Sequence, residues 1–144
     1  MKIRPYITFD GQCAEALELY KRAFNTDTNE LRLFDEMPPI PGYSLPKEYK
    51  SRIMQATLIV GDDFIRLSDC GYAPGFVLNQ AETERINLSV EASTEDIKQA
   101  FGVLAEEGRV AMPLTETFYS PCAGVVFDKF GVMWNLSAVH TNQS

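Results

Sequence analysis

The chain has 144 residues, of which 45% are hydrophobic and 23% charged, and its formal net charge is -7. This composition is ordinary for a globular protein, and its acidity disfavours nucleic-acid binding, which uses a basic surface. No apolar run approaches the roughly 20 residues of a membrane-spanning helix, and the first residues lack the apolar core of a signal peptide. We therefore expect no nucleic-acid partner and no association with a membrane.

The three cysteines, Cys13, Cys70 and Cys122, are odd in number and form no CxxC pair. This usage predicts reduced thiols and a cytoplasmic location. Cys13 falls in a helical apolar stripe and is expected in the core. A reactive thiol at Cys70 or Cys122 stays open, although no histidine lies nearby in the sequence to activate it.

The first half of the chain begins with alternating residues 3–9, which predict a strand. Asp10 is the expected N-cap of the helix that follows, and Asn25 is its expected end. The apolar positions of this helix recur at helical spacing: Cys13, Ala16, Leu17, Tyr20 and Phe24.

Further strands are predicted at residues 30–34, 52–60 and 64–68, the last two joined as a hairpin at Gly61-Asp62. Residues 37–49 contain four prolines and predict an irregular loop. Residues 71–84, with Pro74 and Gly75, predict a linker.

The order of elements then begins again. Ile86, Leu88 and Val90 alternate with polar residues as a strand, and Ser93 with Asp96 predicts a capping box for a second helix. This helix carries an apolar stripe and is expected to close at Gly108. Three more strands are predicted at residues 110–115, 123–128 and 132–138, with Asp128-Lys129-Phe130-Gly131 as a tight turn.

The two halves therefore repeat one order, β-α-β-β-β, which indicates internal duplication. Residues 7–24 align with 88–105 without a gap, so we expect Tyr20 and Phe101 in equivalent buried places. Arg66-Leu67-Ser68 in the first half likewise matches Asn135-Leu136-Ser137 in the second. The predicted organisation is one domain over residues 1–144, with a first module at about 1–70, a linker at about 71–84 and a second module at about 85–140.

Two βαβββ modules in tandem resemble the vicinal oxygen chelate superfamily, which includes glyoxalase I, extradiol dioxygenases and bleomycin-resistance proteins. Several segments look like its PhnB-like branch, some members of which carry the name 3-demethylubiquinone-9 3-methyltransferase. These segments are 5–11, 15–20, 61–62, 67–69, 116–119 and 128–132. The resemblance implies an α+β fold, the glyoxalase/bleomycin-resistance fold, with a cup-shaped eight-stranded sheet around a cleft. The sequence has no glycine-rich nucleotide loop after a strand to support a methyltransferase.

In the family that the chain resembles, metal ligands, usually His and Glu, occupy cleft-facing strand positions. Because side chains alternate along a strand, the phase of Leu67 and Leu136 predicts which residues face the cleft. The four expected ligand positions then read Arg4, Arg66, Arg85 and Asn135, and Gln55 stands where the branch often has a histidine. Arginine stays protonated and does not ligate metals, so we expect no metal and no cofactor.

Three hypotheses follow for function. The first is a metal-free, homodimeric small-molecule-binding protein whose ligand, apolar in body and anionic in part, contacts Arg66, Gln55 and Asn135. The second is a lyase, isomerase or dioxygenase of the same superfamily that uses a divalent metal, with Glu116 as a single conceivable ligand. The third is a structural or interaction role with a vestigial cleft.

The other candidate residues leave alternatives open. Arg4 and Arg85 are either ligand-binding residues or strand-start residues paired with surface acids, and Arg66 either binds a ligand or forms an internal salt bridge. Tyr119 either stacks on a ligand or seals a dimer contact. Trp134 shares the phase of Leu136 and is expected in the core.

Overall fold

The computed structural model describes residues 4–36, 44–71 and 87–140, together with residues 2, 38 and 42. Apart from Gly71, the predicted linker lies outside these residues, as do Arg85 and residues 37, 39–41 and 43 of the proline-rich stretch. The chain divides into two compact units, the first formed by residues 1–21 and 25–78 and the second by residues 22–24 and 79–144. Among the described residues, no helix is long and apolar enough to cross a membrane.

The first unit contains one helix and four strands. Along the chain these are β1 (Tyr6–Phe9), α1 (Cys13–Phe24), β2 (Thr28–Leu33), β3 (Ile53–Val60) and β4 (Asp63–Asp69). Single 3₁₀ turns at Phe34–Glu36 and Lys47–Tyr49 flank the proline-rich stretch, so its last residues are less irregular than predicted. The strands form a sheet in the order β1-β4-β3-β2, in which β1 pairs parallel to β4.

The second unit repeats this order. Its elements are β5 (Asn87–Ala92), α2 (Thr94–Leu104), β6 (Arg109–Thr115), β7 (Ala123–Phe127) and β8 (Met133–Ala138). The sheet order is β5-β8-β7-β6, again with one parallel pair, β5 with β8. The predicted α+β fold of two βαβββ modules is confirmed.

The start of α1 differs from the prediction. The N-cap is Gln12, which makes no side-chain cap hydrogen bond, and Asp10 is not the cap. The Cys13 backbone N–H instead donates to Asp69 Oδ1 at the end of β4 (2.9 Å), while Asp69 Oδ2 accepts from the Ile53 N–H (3.0 Å). A buried carboxylate distant in sequence therefore joins the start of α1 to the start of β3.

The predicted C-terminal end is confirmed for α1 and is wrong for α2. Asn25 ends α1 in the left-handed conformation, as predicted. The α2 helix ends earlier than predicted, at Leu104 with Ala105 as its C-cap, and Gly108 lies beyond it. Gly108 is needed for another reason: a Cβ there would collide with the carbonyl oxygen of Phe127.

The turn before β8 is organised by Asp128, which is buried. Asp128 Oδ1 accepts hydrogen bonds from the N–H groups of Phe130 (2.9 Å) and Val132 (3.1 Å), and Oδ2 accepts from Trp134 Nε1 (2.9 Å). Gly131 completes the turn with a φ of 87°, a value that glycine adopts without strain. The turn predicted at residues 128–131 is confirmed.

Most core positions follow the predicted stripes, although Phe24 and Phe101 are only half-buried. Cys13, Tyr20 and Trp134 are all fully buried, as expected, and the Phe24 ring lies 5.3 Å from that of Trp134. Phe101 is only half-buried, so it is not equivalent to Tyr20. Its ring lies over Gly124, where an added Cβ would be 2.9 Å from Phe101 Cε2.

Candidate functional site

Arg66 lies in the middle of β4 and is flanked on both sides within the first sheet. Its register partners are Tyr6 on β1 and Thr57 on β3. Directly paired residues of neighbouring strands point to the same side of a sheet, so these three side chains share one face. Leu67 and Ala56, in the opposite phase, are fully buried. We call the side chains of Tyr6, Gln55, Thr57, Phe64 and Arg66 the Arg66 face.

Two polar atoms of this face are buried without a hydrogen-bond partner. They are Arg66 Nε and Thr57 Oγ1, and they belong to residues that are paired across β3 and β4. Thr57 is only 6% exposed, so solvent has little access to its hydroxyl. A buried donor or acceptor without a partner costs about 1–3 kcal/mol, so these two atoms stand out as a place for a ligand.

The guanidinium of Arg66 lies near an aromatic ring rather than an acid. Its Cζ is 5.4 Å from the centroid of the Phe64 ring, and the Cζ of Arg4 is 4.5 Å from the same centroid. Within the described part of the chain, neither arginine forms a salt bridge. Two positive groups therefore share one ring with no carboxylate to neutralise them, which favours an anion in this region.

Another arginine of the same unit is fully paired. Arg52 Nη1 donates to Asp10 Oδ1 (2.9 Å) and to the Cys70 carbonyl (3.2 Å), and its Cζ lies 4.2 Å from the centroid of the Tyr49 ring. Cys70 Sγ donates to the same Asp10 oxygen at 3.3 Å. This hydrogen bond from Cys70, together with Arg52, lowers the pKa of Asp10.

The Cys70 thiol is held in its neutral form in this cluster. Burial and the neighbouring Asp10 carboxylate raise the pKa of Cys70, although Arg52 Nη1 lies 3.4 Å from the sulfur. Because the thiolate is the nucleophilic form, the arrangement is that of a structural cysteine. Arg52, Asp10 and Cys70 thus tie the end of β1 to the residues before β3 and after β4.

The structure brings together only some of the predicted site residues. Gln55 lies on the Arg66 face, half-buried and paired with Arg32 of β2, and Arg4 lies beside Phe64. Asn135 belongs to the second unit, where it pairs with Ser89 and Val125.

Tyr119 also belongs to the second unit, in the loop after β6. It is 51% exposed, and Phe118 beside it is 98% exposed. The two rings meet edge to face with centroids 5.1 Å apart. Hydrogen bonds from the N–H groups of Tyr119 and Ser120 to Thr117 Oγ1 hold the loop. An exposed aromatic pair on an ordered loop is suited to contact with another molecule.

Ligand contact by any of the predicted site residues stays a prediction.

Thr57 and Phe64 were missed as site residues. A signal for Thr57 existed, because it stands two positions after Gln55 on the same strand and therefore on the same face. Its burial depends on the tertiary structure and has no sequence signal. Phe64 was interpreted only as a strand residue, although it precedes Arg66 by two positions.

The residues present do not fit the divalent metal that the fold family implies. Arg66 and Asn135 stand at two of the four expected ligand positions, and Arg4 lies just before β1. Among the described residues, no group of three or more His, Cys, Asp or Glu side chains is placed to hold a metal ion. Guanidinium groups repel cations, so we derive no chemical step through a metal.

Comparison with known proteins finds similar sequences and similar solved structures. No family model matches the chain. Protein YjdN of Escherichia coli (strain K12) is 28% identical over 149 residues, which cover 96% of each chain. Protein PA1353 of Pseudomonas aeruginosa has a TM-score of 0.75 at 29% identity, with 96% of this chain and 97% of that chain covered.

A second similar solved structure belongs to a protein that carries the name of an enzyme. The PhnB protein of Bacillus cereus, which carries the name 3-demethylubiquinone-9 3-methyltransferase, has a TM-score of 0.71 at 26% identity, covering 96% of this chain and 100% of its own. The fosfomycin resistance protein FosX of Listeria monocytogenes, at 11% identity and a TM-score of 0.55, shares the fold alone. The resemblance predicted from the sequence is confirmed, because this chain has the glyoxalase/bleomycin-resistance, or vicinal oxygen chelate, fold and is similar to PhnB-like proteins.

Proposed function

We propose that this protein binds a small anionic molecule on the Arg66 face without the help of a divalent metal. The observation that carries the proposal is the position of Arg66 in the middle of a sheet, where its Nε is buried without a hydrogen-bond partner and its guanidinium forms no salt bridge among the described residues. Natural structures pair buried charges, because an uncompensated one costs several kcal/mol. A bound anion would supply the missing partner.

The alternative of a metal-dependent enzyme has some support from one relative. FosX was solved as a complex with Mn(II) and 1S,2S-dihydroxypropylphosphonic acid. The donor atoms on the Arg66 face argue for the metal-free function, because arginine and threonine hydroxyls bind anions rather than replace carboxylate or imidazole ligands. The methyltransferase name of the Bacillus cereus protein finds no matching nucleotide-binding motif in this chain.

The test is a thermal-shift screen of the wild type and Arg66→Met against carboxylates, phosphates, aromatic acids and divalent metals. A ligand that binds only the folded protein raises the melting temperature, and we expect anions to do so in the wild type and not in R66M. Arg109→Met is the matched control, since Arg109 also lies over a phenylalanine, with its Cζ 4.2 Å from the Phe127 ring centroid. Stabilisation by metals alone would refute the proposal.

The same screen measures the cost of the unpaired charge. Without ligand, we expect R66M to melt at or above the wild-type temperature, because methionine removes an unpaired guanidinium and keeps the apolar stem. A large loss of stability in R66M would mean that Arg66 has a structural partner, which would favour the structural role over ligand binding.

Two further features belong to the proposal. Free Cys13, Cys70 and Cys122 support a reducing compartment, and hence the cytoplasm. The exposed Phe118–Tyr119 pair supports a homodimer contact. Light scattering of the wild type at micromolar concentration that gave only a monomer mass would refute the homodimer.

A further inference from the structure

We infer that Arg66 and Thr57 act as a pair that recognises an oxyanion, the carboxylate or phosphate group of a small molecule. This inference rests on the proposed function and defines the chemical group that the Arg66 face takes. It assigns Thr57 as a specificity-determining residue beside the arginine.

The argument begins with the hydrogen-bonding capacity of the two side chains. Arginine has donors only, whereas a threonine hydroxyl donates or accepts. Directly paired residues of antiparallel strands have Cβ atoms about 4.5–5.5 Å apart, so Thr57 and Arg66 are close neighbours. They nevertheless form no hydrogen bond with each other, and Arg66 Nε and Thr57 Oγ1 are both unsatisfied. Two adjacent donors without an acceptor are suited to an external oxygen with several lone pairs, which an oxyanion supplies.

The buried Nε also specifies how the ligand approaches. An oxyanion that uses Nε together with a neighbouring Nη binds side-on, through two parallel N–H···O bonds. Only the arginine fork provides this geometry, since a lysine ammonium is a point charge without a second fixed donor. The Thr57 hydroxyl then adds a third donor to one of the two ligand oxygens.

The charge of the ligand follows from the surroundings. Arg4 and Arg66 both lie over the Phe64 ring, and within the described residues neither forms a salt bridge. A neutral amide of the same shape places an NH₂ group where one oxyanion oxygen would lie, against groups that only donate. The Arg66 face should therefore distinguish an acid from its amide.

Isothermal titration calorimetry with matched probes tests this inference. Phenylacetate and phenyl phosphate are titrated into the wild type alongside the neutral phenylacetamide, and we expect the amide to bind at least about tenfold more weakly than the better anion. Thr57→Val, which keeps the shape and removes the hydroxyl, should weaken that anion by about five- to tenfold. Thr57→Ser should restore wild-type binding of that anion. Arg66→Lys should weaken the binding at least about tenfold.

The controls separate this inference from the proposed function. Arg109→Lys should bind like the wild type, and circular dichroism should show each variant folded. Wild-type affinity in both T57V and R66K, with binding lost in R66M, would overturn the Arg66–Thr57 pair and leave the proposed function standing. Equal affinity for phenylacetamide would overturn the inference that the Arg66 face recognises an oxyanion. The same would follow if neither anion bound to the protein while another molecule bound through Arg66. If R66M also kept wild-type binding, the inference and the proposed function would both fall.

Discussion

The contrast between Arg52 and Arg66 shows how single residues differ in role within one unit. Arg52 donates to Asp10 and to the Cys70 carbonyl, so its charge is satisfied inside the protein. Arg66 has a buried Nε with no acceptor among the described residues, which supports our proposal that its charge binds a ligand. Pairing, rather than residue type, therefore distinguishes a structural arginine from a binding one.

Cys13 gives a prediction on pH dependence. Burial, reinforced by the Asp69 carboxylate, raises the pKa of Cys13 from 9.0 to about 12. Because the pKa is higher in the folded state, the stabilisation is complete below pH 9 and is lost as the pH rises toward 12. At pH 10 the unfolded thiol is mostly ionised and the folded one is not, so the wild type should lose about 1.4 kcal/mol relative to Cys13→Ala.

Urea unfolding of the wild type and C13A at pH 7 and pH 10 measures this difference, with the buried single tryptophan as a fluorescence probe. C13A is itself the control for alkaline effects elsewhere in the chain, because it keeps every other titratable group of the wild type. A free-energy difference between the wild type and C13A that stayed constant with pH would contradict the assignment.

At the residue scale, the sequence predicted which side chains share the Arg66 face better than it predicted their hydrogen-bond partners. Strand alternation predicts that Arg66 faces away from the buried Leu67, whereas Gln55 is a candidate only because the resembling branch often has a histidine at its position. The unsatisfied state of Thr57 was not predictable, since it depends on which atoms of other strands come near its hydroxyl. Arg4 was expected on a strand that begins at residue 3, but β1 begins at Tyr6, so Arg4 lies before the strand.

At the scale of elements, Asp69 accepts a hydrogen bond from the start of α1, a role that the sequence predicted for Asp10. Asp10 lies two residues before the N-cap Gln12 and binds Arg52 instead. Asp69 reaches the Cys13 N–H from a strand that is 56 residues away in the chain. Local spacing has no information on such a long-range cap, whereas the local cap at Ser93, which accepts from the Asp96 N–H, was predicted correctly.

Removal of this carboxylate should destabilise the protein. Asp69→Ala leaves the Cys13 and Ile53 N–H groups without acceptors, and each orphaned group costs about 1–3 kcal/mol, so we expect a loss of about 2–6 kcal/mol. Asp69→Asn should lose less, because its amide oxygen still accepts one of the two bonds. Thermal unfolding measures both variants.

Asp62→Ala is the matched control, since Asp62 is exposed in the β3–β4 turn and should change stability by less than about 0.5 kcal/mol. If D69A were as stable as D62A, Asp69 would not be the connection between α1 and β3 that its hydrogen bonds indicate.

At the scale of the whole molecule, the duplication predicted from the sequence is present, but the two sheets are not equivalent. With residues 7–24 aligned to 88–105, Tyr6 corresponds to Asn87, yet Tyr6 pairs with Arg66 while Asn87 pairs with Met133, two residues before Asn135. A shift of two residues keeps every side chain on its own face, so the alternation pattern remains the same in both units. The order of elements was therefore predictable from the sequence, whereas the exact register was not.

The two halves also differ in charge, and this difference supports the role that we propose for the Arg66 face. Arg66 in the first sheet corresponds to Asn135 in the second, where the neighbours are Ser89 and Val125. Conservation of fold with divergence of side chains is how one architecture supports different chemistry. The first unit contains the anion site in our account.

The central claim is that an anion binds at Arg66 without a metal, and one measurement tests it most directly. Phenylacetate and phenyl phosphate are each titrated by calorimetry into EDTA-treated wild type, and the titrations are repeated after addition of Mn²⁺ or Zn²⁺. Our account predicts that at least one of the two anions binds the EDTA-treated protein, with the same affinity before and after the metal is added. Binding that disappears with EDTA and returns with Mn²⁺ or Zn²⁺ would contradict the account and favour a metal-dependent enzyme.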